Sequence, residues 1–158
     1  HPEPIEPDHS GQMAAVPLVR LAFGRSGDKG NNANIGIIAR RPEYLPFIWK
    51  ALSPKVVARC FSIYLEGEVE RYLLPGIHAV NFVLHDVLGG GGIASLRNDA
   101  QGKGFAQILL AQAIAVPVEI IGAQGPFAVV FRIESDGSRK DPGVPGNRIL
   151  AVEINSPR

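Results

Sequence analysis

Four consecutive glycines, Gly89–Gly92, limit the folds open to this chain more than any other feature. Inside a regular element each glycine costs about 0.5–1 kcal/mol relative to alanine, so neither a helix nor a strand is expected to run through them. They open a polar stretch that continues through Ser95, Arg97, Asn98, Asp99 and Lys103 to Gly104. A second such stretch, Arg25-Ser26-Gly27-Asp28-Lys29-Gly30-Asn31-Asn32-Ala33-Asn34, has no large apolar side chain in ten residues. Regular structure is therefore expected between these two interruptions. Something must also compensate the glycine run. Either the backbone passes so close to a ligand or a neighbouring chain that no Cβ fits, or the run is a flexible lid or a slack connection.

The remaining composition is that of an ordinary globular domain: 158 residues, 46% apolar and 20% charged, enough to bury a core without covalent staples. The single cysteine, Cys60, cannot form an internal disulfide, and no Cys/His group has zinc-site spacing, so no metal and no cofactor are expected. A net charge of +1 gives little reason to expect nucleic acid or an anionic membrane as partner. The lone cysteine fits a reducing, cytoplasmic compartment, and because apolar runs such as Ile114 to Val118 are too short to span a bilayer and the N-terminus lacks the order of a signal peptide, a soluble protein is expected. Residues 1–12, with Pro2, Pro4 and Pro7 among acidic residues, read as a tail within a segment 1–15 outside the fold.

Alternation from Leu18, with Val19, Leu21 and Phe23 on one side, predicts a strand with one buried face. Residues 25–34 would follow as a loop. Ser53-Pro54 is a helix opening, and Val56, Val57, Cys60, Phe61, Ile63 and Tyr64 carry an apolar face to about Leu65. Glu68 to Leu74 reads as a strand closed by a Pro75-Gly76 type II turn. Ile77 to Leu88 suits either a helix ended by Gly89 or a strand paired back across the turn, with the balance slightly towards helix. Phe105 to Val116 reads as an amphipathic helix and Val118 to Ile121 as a strand. Residues 127–134 and 148–154 read as two strands of an appended C-terminal hairpin, within a segment 122–158. The predicted class is α+β, a two-layer sandwich with that hairpin added.

The two polar stretches hold the residues suited to chemistry. Gly27 and Gly30 let backbone N–H groups turn towards a ligand, Arg25 and Lys29 supply positive charge, and Asn31 and Asn34 can donate or accept. Ser26 could act as a nucleophile or donor and Asp28 as a base, although no activating partner can be identified. The same residue types also build ordinary hydrogen-bonded turns, with Asp28 capping backbone N–H groups. In the second stretch Gly90, Gly91 and Gly92 allow close approach, Arg97 and Lys103 are cationic, and Asn98 or Asp99 could cap the following helix. Neither a P-loop nor a Gly-x-Gly-x-x-Gly fingerprint is present. His85-Asp86 reads as a solvated pair and Cys60 as a small apolar residue of a helix face.

The order Val19-Arg20-Leu21-Ala22-Phe23-Gly24-Arg25-Ser26-Gly27-Asp28-Lys29-Gly30-Asn31, Asn34-Ile35-Gly36, Val69-Glu70-Arg71-Tyr72, Leu74-Pro75, Asn81-Phe82-Val83-Leu84, Gly89–Gly92, Ser95-Leu96-Arg97, Asp99 and Gly102-Lys103 resembles the ferredoxin-like domain of the acyclic terpene utilisation (AtuA-type) family over about residues 16–121. The resemblance implies a ferredoxin-like fold without an iron–sulfur cluster. It also implies a larger AtuA-type chain as companion and a setting in acyl-CoA catabolism of branched compounds such as citronellol and geraniol. Together with the resemblance, the residues give three candidate functions. In the first, the chain is a small subunit whose Arg25, Lys29, Arg97 and Lys103 hold an anionic substrate such as a CoA thioester. Asp28, Lys29 and Asp99 are then the candidate catalytic residues, with Ser26, Gly27, Gly30, Asn31, Asn34, Asn81, Gly90–Gly92 and Ser95 around the substrate. In the second, it is a self-sufficient homo-oligomeric hydratase or lyase. In the third, it is a non-catalytic assembly module.

Overall fold

The computed structural model describes residues 3, 4 and 11–121, and the backbone of residues 129–135 and 147–154. The chain folds as two units, residues 1–120 and 121–158.

The first unit is built on a four-stranded antiparallel sheet in the order β2-β3-β5-β4, from β2 (Ala22–Lys29), β3 (Asn32–Ala39), β4 (Val69–Leu74) and β5 (Ala79–Leu84). A two-stranded antiparallel pair joins β1 (Met13–Pro17) to β6 (Ala113–Pro117). One face of the larger sheet is apolar: Ala33, Ile35 and Ile37 of β3 and Val80, Phe82 and Leu84 of β5 are fully buried. Helices α2 (Pro54–Cys60) and α3 (Phe105–Leu110) pack against this sheet, where the Phe61 and Phe105 rings lie 5.0 Å apart. Helix α1 (Leu45–Ala51) packs against β6. Arg71 reaches inward from β4 and donates to the carbonyls of Trp49 and Leu52 at the end of α1, with its guanidinium 3.5 Å from the Trp49 ring centroid. Burial holds its pKa below the usual arginine range. Helices on one face of an antiparallel sheet make this an α+β two-layer domain.

Several expectations are corrected. The first strand of the large sheet starts at Ala22; Leu18–Arg20 is a turn of 3₁₀ helix, and Val19 and Phe23 are exposed while Leu18, Leu21 and Ala22 are buried. Residues 25–34 are not a loop. They are the end of β2, a two-residue turn and the start of β3, because the β2–β3 register runs unbroken from Ala22↔Ala39 to Lys29↔Asn32. For Ile77 to Leu88 the strand reading is right and the helix reading wrong: β5 alternates Val80, Phe82 and Leu84 into the core. The Pro75-Gly76 connection is a 3₁₀ turn rather than type II, with the left-handed residue displaced to His78 (φ 50°).

Helix α3 ends at Leu110, and Ala113–Pro117 is strand: Ile114 and Val116 alternate into the core with a period of two, and the segment pairs with β1 over its whole length. Val118–Ile121 is a short helix, α4, instead of a strand. The Ser53 cap is present, its Oγ accepting from the Val56 N–H, but α2 stops at Cys60. The strand β1 starts at Met13, so residues 13–15 belong to the fold; most of the expected tail lies outside the described residues. In the second unit β7 (Val129–Ser135) pairs antiparallel with β8 (Asn147–Ile154), the expected hairpin. Its loop lies outside the described residues.

Candidate functional site

The face of the large sheet opposite the helices has a different chemistry from the core face. Register places Arg25, Gly36, Asn81 and Tyr72 in one row across the strands and Gly27, Asn34, Val83 and Glu70 in the next. Phe23, Ile38, Ala79 and Leu74 form an apolar row beyond Arg25. At the β2 edge this face holds a depression of about 330 Å³ lined by Arg25, Ser26, Gly27, Asp28, Lys29, Asn34, Gly36 and Lys103. Lys103 comes from the second polar stretch. Its Nζ lies 4.0 Å from Asp28 Oδ1, and a Cβ added to Gly27 would sit 3.3 Å from it.

Ser26 sets this geometry up from beneath. The residue is 7% exposed; its hydroxyl donates to the Lys103 carbonyl (3.1 Å) and accepts from the Ala106 N–H (2.9 Å), tying the start of α3 to β2. A hydroxyl so engaged anchors the fold and is not poised as a nucleophile. Lys29 donates to the Asp28 carbonyl. Arg25 is exposed and has no hydrogen bond or ion pair among the described residues. Asn34 Nδ2 donates to Asn81 Oδ1 at 3.4 Å.

At the hairpin tip the two stretches meet again through backbone. Asn31 accepts at its carbonyl from the N–H groups of Val87 and Leu88, accepts at Oδ1 from Gly90 N–H (2.7 Å), and donates from Nδ2 to Asp86. Gly91, at φ 84°, passes so close that a Cβ would stand 2.7 Å from the Gly30 carbonyl oxygen. At Gly91 the neighbour that excludes a side chain is thus the chain's own hairpin.

The other residues of the second stretch are engaged elsewhere. Arg97 Nη1 donates to the carbonyls of Val87 and Tyr64, and Nη2 faces Glu66 at 3.8 Å. Ser95 Oγ accepts from the Arg97 N–H. The two carboxylate oxygens of Asp99 accept from the N–H groups of Lys103 and Gly104, each at 2.8 Å, so Asp99 closes the turn ahead of α3. Arg97 and Asp99 line a separate cavity of about 470 Å³ with Tyr64, Leu96, Phe105 and Ile108. Gly92 lies outside the depression as well.

A further cluster lies at the opposite edge of the outer face, of which Glu70 and Tyr72 are given no chemical role by the sequence and His85 reads there as a partner of Asp86. The Tyr72 hydroxyl donates to Glu70 Oε2, and His85 Nε2, a buried atom without a hydrogen-bond partner, lies 3.6 Å from the same oxygen. Donation from Tyr72, then the nearby imidazole, holds the Glu70 carboxylate below its usual range; the same contact pushes the Tyr72 phenol up. His85 therefore faces Glu70 rather than pairing with Asp86. The spacing Glu70-x-Tyr72 is already legible in the strand read over 68–74, whereas the place of His85 beside them depends on 79–84 being a strand. Among the described residues no group of His, Cys, Asp and Glu could hold a metal, and no helix is long and apolar enough to cross a membrane. Cys60 is half-buried, and burial raises its thiol pKa, away from a reactive thiolate.

A family model described as the AtuA ferredoxin-like domain matches residues 16–115. No curated protein and no solved structure gives a match.

Proposed function

The chain belongs to the AtuA ferredoxin-like domain family, and from that premise we propose that it is the small partner of a larger AtuA-type chain and binds the anionic end of their shared substrate, a CoA thioester. The observation that carries this reading is the convergence of Lys103, from the second polar stretch, on Asp28 and Gly27 of the first. Arg25, Lys29 and Lys103 then surround a depression holding a single carboxylate. A phosphate there gains charge-assisted hydrogen bonds that are roughly twice as strong as neutral ones. Of the two aspartates expected to move a proton, Asp28 is the one that lines the depression. Asp99 positions the Lys103 backbone instead.

Calorimetric titration of the chain with CoA and with inorganic phosphate tests the reading. Lys103→Ala and Arg25→Ala are each expected to weaken binding about tenfold, on the scale of one charge-assisted contact. Binding unchanged in both variants would overturn it, as would failure of the wild-type chain to bind either anion. Co-expression with an AtuA-type larger chain, followed by size-exclusion chromatography, tests the partnership.

The Tyr72–Glu70–His85 cluster favours a second reading, in which the chain carries proton chemistry by itself as a homo-oligomeric hydratase or lyase. Turnover of an enoyl-CoA by the purified chain, lost in Glu70→Gln, would establish it over the first.

A further inference from the structure

The anion depression occupies only the β2 edge of the outer face, and the row that leaves it runs on across bare backbone to a pair of side-chain amides. Gly36 stands between Arg25 and Asn81, and a Cβ there would come no nearer than 3.9 Å to the Arg25 carbonyl oxygen and 4.0 Å to Asn81 Oδ1. The floor at this point is open main chain. Beside it, Asn34 spends one N–H on Asn81 Oδ1, and the pair makes no other side-chain hydrogen bond within the described protein.

That leaves the Asn34 carbonyl oxygen as an acceptor and the Asn81 amide N–H groups as donors, side by side on adjacent strands. A secondary amide offers the complementary set, an N–H and a C=O on opposite sides of a plane. A phosphate oxygen or a simple hydrocarbon offers no such match. The pair lies one to two inter-strand steps from Arg25, roughly 5–10 Å at ordinary sheet spacing.

We propose that the ligand held at Arg25, Lys29 and Lys103 is an elongated anion whose chain crosses Gly36 and presents a secondary amide to Asn34 and Asn81. This deepens the anion-binding reading and rests on it. The arm attached to the charged group is then amide-containing, in place of a plain alkyl chain.

Three probes separate the two claims when titrated calorimetrically into the intact chain: inorganic phosphate, hexyl phosphate and 4′-phosphopantetheine, a phosphate carrying two secondary amides. Phosphopantetheine is expected to bind at least tenfold more tightly than either of the others. Asn81→Ala should reduce that advantage to about threefold or less while leaving phosphate affinity unchanged, and Asn81→Leu provides a second variant should the first fold poorly. In amide-detected NMR of the wild-type chain, the side-chain resonances of Asn81 should shift with phosphopantetheine and stay in place with phosphate. If hexyl phosphate matches phosphopantetheine, or if the advantage survives in both variants, the amide proposal is overturned and the anion site stands. If none of the three binds, both fall together.

Discussion

The hairpin β2–β3 and the stretch 89–104 look alike in sequence, each offering glycines, cations and a carboxylate, yet the fold uses them in opposite ways. In the hairpin, among the described residues Arg25 is exposed without a partner and the Asp28 carboxylate meets only a lysine at 4.0 Å, while Gly27 leaves room for that lysine to arrive. In the second stretch Arg97 is engaged by two carbonyls, Asp99 by two N–H groups, and Gly91 by the pressure of the Gly30 carbonyl. Chemical potential in a loop depends on what the backbone leaves unsatisfied. Only Lys103 crosses from one category to the other: its main chain is bound to Asp99 and Ser26, and its ammonium is delivered to the hairpin.

The contrast breaks most visibly at Gly91. Gly91→Val puts a branched side chain at φ 84° and a Cβ at 2.7 Å from a carbonyl oxygen, and should destabilise the domain by about 3 kcal/mol or more, read as a fall in the urea midpoint. Arg97→Ala removes charge-assisted bonds to two carbonyls and should cost about 2 kcal/mol while leaving phosphate affinity as it was. Lys103→Ala reverses that signature, changing stability by less than about 0.5 kcal/mol because the side chain is mostly exposed. If Arg97→Ala lost phosphate binding with its fold intact, the division between the two regions would fail. A smaller effect concerns pH. The Glu70 carboxylate titrates below its usual range, so its contact with Tyr72 contributes fully above that range and is lost as pH falls through the lowered value. In a carboxyl NMR titration Tyr72→Phe should move Glu70 back up. Smallest of all, Gly36→Ala meets no atom closer than 3.9 Å and should leave the melting temperature within about 2 °C.

Much of the candidate site was legible because its residues are contiguous: Arg25, Gly27, Asp28, Lys29 and Asn34 are on one hairpin, and Lys103 stands out beside them as a cation of the second stretch. What the residues could not disclose was which of Asp28 and Asp99, or Arg25 and Arg97, the main chain would consume, since that depends on contacts between positions such as Arg97 and Tyr64, 33 apart. The fold was legible where capping chemistry is local, as at Ser53-Pro54, and illegible where two periods compete. In 77–88 valines, Phe82 and Leu84 fit both three-to-four spacing and alternation, and pairing with β3 and β4 decided for strand. Glycines at 27 and 36 give no hint of an open sheet face as long as 25–34 reads as a loop.

Asn31 joins its own hairpin to positions 55 to 59 further along the chain, and Ser26 does the same over 77 to 80 positions. Contacts of such long sequence separation form late, after loop-closure entropy has been met elsewhere. The nascent hairpin can form early, but its lysine-bearing neighbour arrives only when α3 docks. Affinity at the proposed anion site should thus require the completed domain, and a hairpin fragment carrying Arg25 and Lys29 alone should lack it.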